Sequence, residues 1–146
     1  ALHWFDLERF YREVRRVLKP GGLLAAWTYQ LNEIDPDVDK VVGTFYAHVV
    51  GPYWPPERVH VERGYADLPF PFDRVEAPDF HLETAWTLGE YLGYIGTWSA
   101  VRRYRAQEGK DPLPALRRTL VESWGDATLA RTVRWPLALR VGRWKG

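Results

Sequence analysis

Three groups of side chains in this sequence have the chemistry to handle a ligand. The first is the run His3-Trp4-Phe5. An imidazole with an ordinary pKa of ~6.5 can exchange a proton near neutrality, although spacing identifies no acidic partner for His3. The second is the pair Trp27 and Tyr29, which share one face if their apolar run is a strand. The third is the set Tyr91, Tyr94 and Trp98, along a stretch with helical spacing. Ring faces attract cations, so an aromatic cluster can hold a cationic ligand. Arg102, Arg103 and Arg105 follow, and one of them can pair with a carboxylate ligand. Each group has an ordinary alternative. His3-Trp4-Phe5 can anchor the start of a helix, Trp27 and Tyr29 can pack in a core, and the arginines can form a solvated face.

Other chemistries find no support. His48, His60 and His81 are scattered, with no paired spacing of the HExxH kind, so no metal site is expected. The chain has no cysteine, which removes disulfides and thiolate zinc sites. No Gly-x-Ser-x-Gly elbow and no phosphate loop occurs. The 20 basic and 19 acidic residues nearly cancel, so no overall field points to nucleic acid. No apolar run approaches the ~20 residues of a membrane span. With no signal-peptide pattern either, a cytoplasmic location is the expectation.

The elements that must position these groups are legible as periodicities. Leu7, Phe10, Tyr11, Val14, Val17 and Leu18 form one helical stripe, capped by Asp6 and stopped by Pro20-Gly21-Gly22. The run Leu23–Tyr29 is continuously apolar and reads as a strand buried on both faces, as in a parallel sheet. Asp35 and Pro36 start a second helix with Val38, Val41, Val42, Phe45 and Val49 on its stripe. A proline-rich, aromatic connection follows, holding a short helix near 57–63. Phe80, Leu82, Thr84 and Trp86 alternate, so 79–86 reads as a strand. Thr87 and Glu90 form a capping-box pattern that starts a helix over 88–98. Another helix begins at Ser99 and closes near Gly109. A further one begins at Asp111-Pro112, with Leu113, Leu116, Leu120, Val121 and Trp124 facing inward. Residues 132–143 alternate as a last strand, with Pro136 awkwardly inside it. Three strands among so many helices make an incomplete α/β sheet.

"ALHWFDLERFYREVRRVLKPGGLLAAWTY" resembles the segment after the fourth strand of class I S-adenosylmethionine-dependent methyltransferases, within the small-molecule branch that includes trans-aconitate methyltransferase-like proteins. "RVLKPGG" carries most of the likeness, and "EYLGYIGTWSAVRRY" resembles the C-terminal helical region of that branch. The resemblance implies the C-terminal half of a Rossmann-like methyltransferase fold, strands five to seven with the last antiparallel. Residues 1–146 are then one partial domain, with 30–72 and 87–130 as helical insertions or cover. It places His3, Trp4 and Phe5 beside the cofactor, S-adenosylmethionine, with His3 a weak candidate for catalysis. It places Trp27, Tyr29, Tyr91, Tyr94 and Trp98 around a small-molecule substrate. The glycine-rich loop and ribose-binding acid of the fold are expected in a half upstream of Ala1. Gly21-Gly22 reads as a helix stop, and Gly89, Gly93 and Gly96 lie within a helical pattern, so neither cluster replaces that loop.

Two other functions fit the same sequence. A non-enzymatic half-domain would complete its sheet with the missing half supplied by a partner, or with another copy of the chain. A ligand-binding domain without chemistry would use the aromatic residues alone.

Overall fold

A computed structural model describes all residues, Ala1–Gly146. The chain divides into two compact units, Ala1–Leu31 with Glu57–Leu82 and Trp135–Gly146, and Asn32–Pro56 with Glu83–Arg134. The helical stretch 30–72 is thus shared between them.

The first unit holds a 3-10 turn at Leu2–Trp4, helix α1 (Leu7–Val17), strand β1 (Leu23–Tyr29), the short helix α3 (Arg58–Glu62) and strand β2 (Asp73–Val75). α1 begins where Asp6 accepts a hydrogen bond from the Arg9 amide at 3.1 Å. Its Tyr11 and Val14 are buried, and the Tyr11 hydroxyl donates to the Pro69 carbonyl at 2.7 Å. Val17, expected on the buried stripe, is exposed. It is the last helical residue, beyond the part of the stripe that is covered.

β4 (Arg131–Arg143) is the organising strand of the sheet. It is antiparallel to β1 in one register from Leu23–Arg143 to Tyr29–Leu137. β2 pairs on its other side, Asp73 opposite Arg143, and β3 (Phe80–Trp86) also pairs with β4. The last strand is therefore antiparallel, as the fold class requires. Gly142 sits where β4 passes under Phe70 and Phe72. A Cβ there would lie 2.5 Å from the Phe72 Cβ, so only glycine fits.

Pro136 lies at an irregularity. Beyond Tyr29–Leu137 the next pair is Glu33–Arg134. Gln30, Leu31 and Asn32 intervene on one side but only Trp135 and Pro136 on the other. The extra residue is a bulge opposite the proline, which has no N–H to give. The Pro136 carbonyl still accepts from Gln30 at 3.3 Å.

Burial on both faces does not hold for β1. Leu24, Ala26 and Thr28 are covered, but Leu23, Ala25, Trp27 and Tyr29 are exposed. Its only hydrogen-bonded neighbour is antiparallel and it ends the strand order, so one edge and one face are open. β3 shows the same effect, since Phe80 and Leu82 are exposed despite their alternation.

The second unit is helical. It contains α2 (Pro36–Thr44), a π turn at Phe45–Val49, α4 (Leu88–Gly96), α5 (Ser99–Glu108) and α6 (Leu113–Trp124). Asp35 caps α2, accepting from the Asp37 and Val38 amides. The capping box of Thr87 and Glu90 forms at the start of α4, and Gly109 closes α5 at φ 65°. The π turn corrects the expected stripe. Val50 bonds back five residues to Phe45 at 3.0 Å, so Val50 turns inward and Val49 outward. Val121, expected inside α6, is also exposed, whereas Leu116, Leu120 and Trp124 are buried.

Candidate functional site

In the first unit, the 3-10 turn at Leu2–Trp4 is pinned by Leu2. This residue is buried with Val61, Tyr65 and Leu68, and Ala26 of β1 packs against the same cluster. The turn therefore sits on the covered face of β1. Trp4 is 58% exposed and touches the His3 ring, at 4.8 Å between centroids. Phe5 is exposed and packs on Phe10.

His3 has a partner that spacing did not reveal. Its Nδ1 lies 3.0 Å from the Tyr65 hydroxyl, which also accepts from the Ala1 nitrogen at 3.1 Å. Partial burial holds the His3 pKa below its ordinary value, and the nearby His60 and Arg58 push it the same way against Glu57. The ring is thus biased toward its neutral form. Tyr65 is buried, with its backbone in the left-handed region at φ 63°. For a tyrosine that conformation costs about 1–3 kcal/mol. The surroundings hold it there. Arg140 donates to the Tyr65 carbonyl and, at 2.8 Å, to the Leu68 carbonyl, and its guanidinium lies over the Phe70 ring. Tyr65 stands 62 positions from His3 in a stretch that sequence patterning assigns to a connection, so only the fold brings them together.

Trp27 and Tyr29 do share a face, 63% and 45% exposed. By strand alternation that face is opposite the one carrying Leu2 and Tyr65. The structure thus brings His3 and Trp4 together and Trp27 and Tyr29 together, but on opposite faces of β1.

Tyr91, Tyr94 and Trp98 belong to the second unit. Tyr91 is fully buried, its ring stacked on Trp124 at 5.6 Å, and its hydroxyl accepts from Asn32 Nδ2 at 2.8 Å. That is a core position, not a ligand-facing one. Burial pushes its phenol pKa well up, with the Asn32 bond opposing. Tyr94 is partly exposed and contacts Trp86 and Trp98. Trp98 is buried and completes a ring cluster with Tyr46 and Trp54, centroids 5.7 and 5.6 Å away. Arg105 is held by Asp111 through two hydrogen bonds of 3.0 and 3.1 Å, so its charge is already matched. His60 pairs with Asp67 at 3.0 Å.

Each unit has a cleft that sequence reasoning missed. One of about 670 Å³ in the first is flanked by Phe70, Phe72, Arg63, Arg74, Glu76 and Asp79. One of about 880 Å³ in the second has Val41, Phe45, Val49 and Leu116 as apolar lining, with Lys40 and Lys110 beside them. Their linings come from residues far apart in the chain, which no local spacing announces.

With this geometry in view, the chain can be set beside known proteins. Residues 1–26 match the methyltransferase domain family. A Dictyostelium discoideum protein is 30% identical over 136 residues, covering 88% of this chain and 52% of its own length. A solved structure from Anaeromyxobacter dehalogenans is 49% identical and superposes with a TM-score of 0.91, covering 97% of this chain and 60% of that one. Both are described as a "putative" methyltransferase, the second as type II. The chain spans about half the length of the curated relative it matches. The architecture above is therefore a methyltransferase fold, shared with the Anaeromyxobacter structure.

Proposed function

We propose that these residues are the C-terminal part of an enzyme that transfers a methyl group from S-adenosylmethionine to a small molecule. The 49% identity and common fold with the Anaeromyxobacter protein carry this reading. The chain's own residues fit one end of the cofactor. The exposed ring face of Trp4 suits a sulfonium cation. The chain's residues do not fit the nucleotide end. Gly21 and Gly22 close a turn after α1, and Gly89, Gly93 and Gly96 lie in α4. The nucleotide-binding loop is assigned to the remainder of the domain.

The cofactor, when bound, supplies an electrophilic methyl group. This chain's contribution is then positioning, because an in-line displacement depends mainly on the alignment of its reactants. His3 and Trp4 would line the cofactor side. Trp27 and Tyr29 remain the proposed substrate contacts. The open face and edge of β1 are where the remainder of the domain would complete the sheet.

Calorimetry with S-adenosylmethionine tests the reading. The full-length protein is expected to bind it and to transfer labelled methyl to a small-molecule acceptor. The 146-residue chain alone is expected not to bind it appreciably. Micromolar binding by the 146-residue chain overturns the division of labour, and no binding by the full-length protein overturns the function. The open β1 edge also favours a second reading, a non-enzymatic module that pairs with another chain. A stable complex without cofactor binding supports it.

A further inference from the structure

We propose that His60 is the general base of this site, taking a proton through Nε2 from the phenolic hydroxyl that receives the methyl group, and that Asp67 is the positioning residue that orients the ring. The reaction rests on the methyltransferase reading. The orientation stands on geometry alone. His60 Nδ1 lies 3.0 Å from Asp67 Oδ2, and Arg63 Nη1 donates to the same oxygen at 3.1 Å. Burial would raise the Asp67 pKa, but the bonds from His60 and Arg63 outweigh it and hold the carboxyl below its ordinary range. An ionised carboxylate has no proton to give. Asp67 therefore accepts from both partners, and His60 Nδ1 carries the proton. In the neutral ring the lone pair is then on Nε2.

The dyad stands beside the cofactor side of the site. His60 belongs to α3, and its neighbour Val61 is buried in one cluster with Leu2. That packing brings His60 to His3, near enough for a charge on His60 to disfavour one on His3. The reacting atom of an acceptor must come to this side to meet the methyl group. The His60 side chain is 31% exposed, so a ligand can reach it. Trp4, exposed and against the His3 ring, offers an aromatic acceptor a surface to pack on.

The acceptor class follows from what a base is for. A phenol ionises near a pH of roughly 10, so at neutrality it is a poor nucleophile until its proton is removed. A carboxylate is already ionised and needs no base. In the transfer an oxygen lone pair of the acceptor forms the new C–O bond. The C–S bond to the methyl group breaks, and its electron pair stays on sulfur. The O–H proton passes to His60 Nε2 and then to water, which restores the neutral ring.

Nitrogen-15 NMR of the imidazoles in the full-length, ligand-free protein tests the orientation. Neutral His60 is expected wholly as the Nδ1–H form. An Nε2–H form, or an even mixture, overturns the proposal. Asp67→Ala is expected to release the ring into a tautomer mixture. An unchanged His60 spectrum in the folded variant overturns the role of Asp67. Should that variant fail to fold, the wild-type spectrum still decides.

Transfer of labelled methyl from S-adenosylmethionine to two panels, simple phenols and simple carboxylates, tests the base. Phenols are expected to be methylated. His60→Gln keeps a polar side chain but has no basic nitrogen. It is expected to lose about 100-fold or more in kcat, while calorimetry shows it binding S-adenosylmethionine as the wild type does. Transfer to carboxylates alone, transfer to neither panel, or an undiminished rate in His60→Gln overturns the base. Loss of cofactor binding in His60→Gln does so too, since it makes His60 a cofactor contact. A wild-type protein that binds no S-adenosylmethionine overturns the methyltransferase reading instead, so the two failures are told apart.

Discussion

One tryptophan of each unit stands in an opposite environment. In the helical unit Trp124 is 1% exposed, stacked on Tyr91, with its indole N–H donating to the Leu129 carbonyl at 3.1 Å. In the sheet unit Trp27 stands 63% exposed on the open face of β1. The helical unit closes its own core, with Leu88, Ile95, Leu120 and Val101 fully buried. The sheet unit leaves its apolar edge strand β1 uncovered on one side. Burial of a large apolar side chain is worth about 1.5–3 kcal/mol, so apolar sequence at β1 signals a surface meant for cover.

The sharpest way to break this contrast is to truncate both tryptophans in the 146-residue chain. Trp124→Ala is expected to cost about 3–5 kcal/mol in denaturant unfolding, because it leaves a cavity under Tyr91 and removes the stack. A loss under 1 kcal/mol would mean that the helical unit has no self-contained core. Tyr91→Phe should cost less, about 1–3 kcal/mol, by stranding the Asn32 amide in the interior. Asn32 Oδ1 already has no partner in the chain, so adding Asn32→Leu to Tyr91→Phe should cost less than the two single changes summed. Strict additivity would show that the pair is not coupled.

Thr87→Ala removes the capping box at the start of α4 and is expected to cost about 1 kcal/mol. Thermal unfolding of the variant measures it, and no change would place the stability of α4 in its packing alone. Trp27→Ala should be the smallest of the four, within about 0.5 kcal/mol. The same substitution in the full-length protein should cost more if β1 is covered there, and equal effects in the two contexts would count against that cover.

A pH effect sharpens the comparison within the helical unit. Tyr53 donates its hydroxyl to Glu108, and that bond, with the nearby carboxylate charge, raises its pKa from 10 to about 12. A folded-state pKa above the unfolded value stabilises below the unfolded pKa and is lost as pH rises through the folded one. Stability should therefore decline between pH ~10 and ~12. Tyr53→Phe should flatten that part of the profile and remove one late-titrating tyrosine from the absorbance titration.

Local rules account for much of what folded as expected. Asp6, Asp35 and the Thr87–Glu90 box mark helix starts because a cap needs only neighbours within three residues. Gly109 marks a stop for the same reason. The misses share a different cause. Val17 ends its helix beyond the covered part of the stripe, and Val121 lies one position off the buried line of Leu116, Leu120 and Trp124. The π turn at Phe45–Val49 adds one residue to a helical repeat and exchanges Val49 for Val50. Trp27 and Tyr29 read as strand residues correctly, yet an apolar run does not say whether its cover lies in the same stretch of chain.

The candidate site divides in the same way. Residue type and order made His3, Trp4 and the shared face of Trp27 and Tyr29 visible, because those depend on adjacent positions or on a period of two. By itself the sequence determined the helices, the three main strands and the aromatic character of the ligand-handling groups. Only the tertiary structure decided that Tyr65 would meet His3, that Tyr91 would be core, and that the bulge opposite Pro136 would absorb its missing donor. Each of these joins groups from separate segments of the chain. Their positions follow from which surfaces pack together, and no local periodicity carries that information.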